Sequence, residues 1–113
     1  MENKQANIIK NSHIPITSHK LNDHNFLCWS QSVPMYISGK GKDNYLTNDD
    51  RILTTMDPKC RMWKTENHIV ISWLINSMTT KIGEDFLLYK IAKEIWDAAR
   101  ETYSSFENTS ELF

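Results

Sequence analysis

The chain has 113 residues, 40% of them hydrophobic and 24% charged, with 13 Lys and Arg against 14 Asp and Glu, for a net charge of −1. That length and composition suit one small globular domain with a modest core. A charge balance so close to zero excludes a protein that coats nucleic acid by phosphate neutralisation alone.

Residues 1–19 are rich in Asn, Lys, Ser and His without sustained periodicity, so a flexible tail is expected there. Pro15 pushes Ile14 away from helical geometry. Met1 to Lys10 is polar and lacks the apolar run of a signal peptide, and the longest apolar stretch, Ile69 to Ile75, is far shorter than a membrane span. A soluble, cytoplasmic protein without a membrane contact is the expectation.

The first helix is predicted to begin near Asn25, capped by Asn22 or Asn25. Phe26, Trp29, Val33 and Ile37 recur at helical spacing and mark its buried face. Gly39 is its predicted stop. Pro34 lies inside and predicts a kink or a division in two. Residues 39–50 read as a loop exposing Lys40 and Lys42, with Tyr45 and Leu46 tucked back.

The second helix has Asp57 as N-cap and Pro58 as first residue, and is predicted to run to about Met78. Trp63, Val70, Trp73, Leu74 and Ser77 share a face. Ile69, Ile71 and Ile75 make its second half apolar nearly all round, which predicts a central, buried helix. Asn67 and Asn76 flank that half, where a buried amide needs backbone partners.

A third helix is predicted over about 84–103. Its stripe is Leu88, Ile91, Ala92, Ile95, Ala99 and Tyr103, with Trp96 at the edge and ion pairs Lys90–Glu94 and Lys93–Asp97 outside. After it, "SSFENTSELF" reads as a break, with Asn108 or Thr109 capping the first turn of another helix. A domain continuing past Phe113 is expected from that turn. The core should rest on the tryptophans, since each buried aromatic ring removes on the order of 150–250 Å² from water. Trp29, Trp63, Trp73 and Trp96 are its expected anchors.

No constellation for catalysis or metal binding stands out. His13, His19, His24, His68, Cys28 and Cys60 lack the C-x-x-C spacing of a four-ligand zinc site. Cys28 follows His24 by four residues, but a packed, reduced thiol beside a surface histidine is the simpler reading, as it is for Cys60. Asp49 and Asp50 read as a solvated pair in a polar loop, and the three glycines form no phosphate loop. No cofactor, small-molecule substrate or enzyme activity is therefore expected. Lys40, Lys42, Lys59, Arg61 and Lys64 would form a basic edge if the loop and the helix start are neighbours, which keeps a small nucleic-acid-binding module, with RNA contact through these residues, as the alternative reading.

Three motifs carry a resemblance. "KLNDHNFLCWSQSVPMYISGKGKDNYL" resembles the copia-like N-terminal motif of retrotransposon Gag polyproteins at Lys20, Leu21, Asn22, Asn25, Phe26, Trp29, Gly39, Lys40 and Lys42. "WKTENHIVISWLINSM" is similar to the family's second motif at Trp63, Asn67, Val70, Ser72, Trp73, Leu74, Asn76, Ser77 and Met78, and "AKEIWDAARETYS" to its third. Together they cover about residues 20–113 in the family's order. Pro34 departs from the pattern. So do Lys90 and Ile91, which stand where the family commonly has an N-cap, leaving Glu94 without a capping-box partner at 91. The resemblance implies an all-α, small helical bundle like a retroelement capsid N-terminal domain over 20–113. It implies self-association with other Gag chains into virus-like particles. The family's zinc knuckle and enzymes lie downstream of this region, so no catalytic residue is carried over.

Overall fold

A computed structural model describes residues 15–47 and 58–111. Among them are five helices, no strand and one isolated parallel bridge, between Leu21 and Met78. Helix α1 spans Phe26–Gly39, α2 Asn44–Thr47, α3 Pro58–Asn76, α4 Thr80–Asp85 and α5 Ala92–Glu111. The last helix packs on α1, α2 and α3, and α4 packs on α3. The core lies where α1, α3 and α5 meet. Phe26, Trp29, Val33 and Ile37 from α1, Val70 and Leu74 from α3, and Ala92, Ile95, Trp96, Ala99 and Tyr103 from α5 are all buried in it.

Helix α1 starts where predicted, with Asn25 at the N-cap, but the side chain does not cap. Asn25 turns back instead: Oδ1 accepts from the Asn22 N–H at 2.8 Å and Nδ2 donates to the Lys20 carbonyl at 2.9 Å. This fixes the approach of the Leu21 segment. Pro34 does not divide the helix, which continues to Gly39. Among the described residues the left-handed backbone falls at Gly41, at φ 74°, two positions past the predicted stop. The expected tail lies mostly outside the described residues. Of its last five, Ile16 packs against the core and the Thr17 and Ser32 hydroxyls are hydrogen-bonded at 3.2 Å.

Part of the predicted loop is the single turn α2, which buries Leu46 and half-buries Tyr45 as expected. Asp57, the predicted cap of α3, falls outside the described residues, as do Asp49 and Asp50. Pro58 does open the helix, which ends at Asn76. Helix α3 is not enveloped: Ile69 is 38% and Met62 64% exposed. Of the four expected anchors, Trp29 and Trp96 are buried, their rings 5.2 Å apart, whereas Trp63 and Trp73 are half-buried. Trp63 sits near the start of α3 against Tyr45, at 6.2 Å, and Trp73 lies at the edge of the buried face, edge-on to Tyr36 at 5.5 Å.

The segment after α3 forms a helix the sequence pattern missed, α4, which buries Ile82, Gly83 and, just past its end, Phe86. Gly83 permits its close approach to α3, since a β-carbon there would lie 3.3 Å from the Ile75 carbonyl oxygen. Helix α5 begins only at Ala92, so Leu88 is not part of its stripe: it is 90% exposed in the preceding segment. Lys90 also precedes the helix, which removes the geometry for a helical pair with Glu94. Lys93 and Asp97 do pair, at 2.7 Å.

The expected break after Tyr103 does not occur, and Asn108 and Thr109 lie within α5. The Ser104 and Ser105 hydroxyls donate to the Arg100 and Glu101 carbonyls one turn back, so these serines are accommodated in the helix rather than ending it.

Candidate functional site

Two polar joints tie the helices together. The first is built on Trp29. Its indole N–H reaches both the carbonyl and the hydroxyl oxygen of Ser77, each at 3.0 Å. The Ser77 carbonyl also accepts from the Leu21 N–H at 2.8 Å, and the Leu21 carbonyl accepts from the Thr79 N–H at 3.1 Å. The Ser77 hydroxyl donates to the Leu74 carbonyl at 2.6 Å. Groups left over at the C-terminal end of α3 are thus satisfied by α1 and by the strand-like Leu21 segment.

The second joint is Asn67, 2% exposed. Its Oδ1 accepts from the Ala92 N–H at 2.9 Å and its Nδ2 donates to the Lys90 carbonyl at 2.8 Å. A side chain of α3 therefore serves the N-terminus of α5 from another helix. This supplies what Lys90 and Ile91 do not, and it matches the backbone role expected of Asn67. Asn76 is exposed, and its amide donates to the Ser72 hydroxyl at 3.5 Å rather than to backbone.

The basic residues are only partly brought together. Lys42 pairs with Glu66 of α3 at 2.9 Å, so the loop after α1 does lie against α3. The Tyr45 hydroxyl donates to the same carboxylate at 2.7 Å. Lys40 is exposed, its ammonium 5.3 Å from the Tyr36 ring centroid. Lys59, Arg61 and Lys64 are exposed on the first turns of α3. At about 100° of rotation per residue, Lys59 shares a side with Glu66, whereas Arg61 and Lys64 fall on the opposite one. The five cations do not form one edge, and Lys42 is already neutralised.

The Lys42–Glu66–Tyr45 clasp gives a pH signature. The hydrogen bonds from Lys42 and Tyr45 hold the Glu66 carboxyl below its ordinary value of 4.5. Burial, reinforced by the Glu66 carboxylate, pushes the Tyr45 phenol from 10.0 up to about 12. Burial also raises Tyr103, with Asp23 and Asp85 adding to it. The lowered carboxyl stabilises the fold above the ordinary glutamate range, and this is lost as pH falls through its folded value. The raised phenol of Tyr45 contributes fully below 10.0 and loses that contribution as pH rises towards about 12. Urea midpoints of the wild type should therefore fall at both extremes. In Glu66→Gln the acid loss should shrink, and in Tyr45→Phe the alkaline loss should shrink while the contribution of Tyr103 remains. Unchanged slopes in both variants would rule out the clasp.

Among the described residues no three His, Cys, Asp or Glu side chains gather as metal ligands, and no helix is long and apolar enough to cross a membrane. His13 lies outside the described residues, and His19, His24 and His68 are exposed. Neither cysteine is in a disulfide, and only Cys60 is buried. Cys28 is exposed on α1, not packed as expected. Comparisons with known protein families, curated proteins and solved structures return no match for this chain.

Proposed function

We propose that the chain is a capsid-like assembly module of the copia-type Gag class, a helical domain whose role is to associate with further copies rather than to catalyse a reaction or hold a cofactor. One observation carries this reading. The motif residues behind the resemblance include those that make the two joints: Leu21, Trp29, Ser77 and Asn67 carry their hydrogen bonds, and the Ala92 N–H donates one of them. A signature concentrated on internal joints suits a structural module, because catalytic residues have to reach a substrate. The RNA-binding alternative is the weaker reading, given how Lys42 is paired and how Arg61 and Lys64 are turned from Glu66.

Sedimentation velocity over a wide concentration range tests the proposal. A weight-average mass that climbs reversibly with concentration is expected. A cooperatively folded chain that stays monomeric at every concentration overturns it. A salt-sensitive shift of single-stranded RNA by that monomer would move the assignment to the RNA-binding reading.

A further inference from the structure

Three consecutive large apolar residues, Leu87, Leu88 and Tyr89, stand between α4 and α5 at 62%, 90% and 37% exposure. Tyr89 rests against Phe86 at 5.5 Å, so Leu87 and Leu88 are the apolar side chains this segment offers to a contact. Beside it lies a groove of about 230 Å³, walled by Ile75, Met78, Gly83 and Leu87 with the polar Asn76 and Thr80 at its sides. That exceeds the share of a single water, about 30 Å³ in the liquid, so an aliphatic side chain can enter. Leu88 follows Leu87 directly yet is almost wholly exposed, so it does not fill the groove next to it.

The groove also carries two opposite charges, Lys20 and Glu84. Neither side chain is in an ion pair among the described residues. A projecting residue, an adjoining groove and one charge of each sign form a self-complementary set. In a two-fold contact the same patch meets itself, so every projection finds a groove and every charge meets its opposite.

We propose that this patch is a two-fold contact between copies of the chain, with Leu88 of each copy seated in the groove of the other, and Lys20 of each facing Glu84 of the other. The proposal rests on the assembly reading above and names the surface through which assembly begins. Opposed charges fix the register of the two copies, while the buried leucines exclude water between them.

Sedimentation of the full chain and its variants tests the contact. Leu88→Asp should weaken self-association by at least tenfold while leaving the far-ultraviolet circular dichroism unchanged, because Leu88 touches little of its own chain. Leu88→Ser, a milder polar replacement, should weaken it in the same direction and serves if the aspartate variant misfolds. Lys20→Glu and Glu84→Lys should each weaken association, and the two together should restore it. Wild-type association that survives Leu88→Asp or Leu88→Ser overturns this contact and leaves the assembly reading standing. Loss through Leu88 without restoration by the charge exchange overturns the two-fold arrangement. A monomeric wild type overturns both the contact and the assembly reading.

Discussion

Trp29→Ala is expected to destabilise the domain by about 3–5 kcal/mol, the range for emptying a packed tryptophan site. Trp29 is 1% exposed and meets Phe26 at 6.0 Å and Trp96 at 5.2 Å between ring centroids. Its removal opens a cavity between α1 and α5 that side chains from two helices cannot collapse to fill. The lost indole hydrogen bonds add less, because the Ser77 carbonyl keeps the Leu21 N–H and the Ser77 hydroxyl keeps the Leu74 carbonyl. Small domains are stable by only about 5–15 kcal/mol in total, so a large part of the margin goes. Urea unfolding followed by circular dichroism should show a much lower midpoint with a similar slope. Trp29→Phe, which retains an aromatic ring, should lie between wild type and Trp29→Ala. Trp63→Ala and Trp73→Ala should cost clearly less, since both side chains are half-buried. Equal losses at Trp29 and Trp63 would contradict the hierarchy of aromatic burial.

That hierarchy marks the limit of periodicity as a guide. Phe26, Trp29, Val33 and Ile37 repeat at helical spacing, and all four are buried. The same rule groups Trp63 with Val70, but it carries no information on how far along α3 the core extends. Leu88 falls on the extrapolated stripe of α5, yet whether it belongs depends on where the helix begins. That start is set by Asn67, 25 residues from Ala92 in sequence. Helix α4 was hidden because Gly83 reads locally as a breaker, while its real function, close approach to Ile75, exists only once α3 is in place. The serines after Tyr103 read as a stop because a serine hydroxyl competes for backbone groups, and only in the folded helix do their i−4 bonds accommodate them. Local signals were legible. Contacts that join distant segments were legible only through residue types such as Asn67 that demand a partner when buried. For the basic residues the sequence shows charge, but the pairing of Lys42 with Glu66 depends on the fold.

Asn67→Ala is the second large effect, on the order of 1–3 kcal/mol, because it orphans the buried Ala92 N–H and an unsatisfied buried group costs about that much, whereas the Lys90 carbonyl, on an exposed residue, can turn to water. Residues 90 and 91 provide no side-chain cap of their own, so the first turn of α5 should fray before the rest of the helix. Amide hydrogen exchange would register that as protection lost at Ala92, while the amides of α1 follow only the change in global stability. Asn67→Asp separates the two halves of the joint. A carboxylate still accepts from the Ala92 N–H, but its second oxygen opposes the Lys90 carbonyl and the charge is buried. Protonated, the same side chain again carries one donor and one acceptor and reproduces the asparagine. The folded state therefore favours the protonated form, which raises the carboxyl above its unfolded value. The deficit of Asn67→Asp relative to wild type should be greatest near neutral pH and shrink as pH falls through that raised value. A deficit that grows on acidification would mean that the helix N-terminus stabilises the carboxylate, and that Asn67 acts as an acceptor for Ala92 alone.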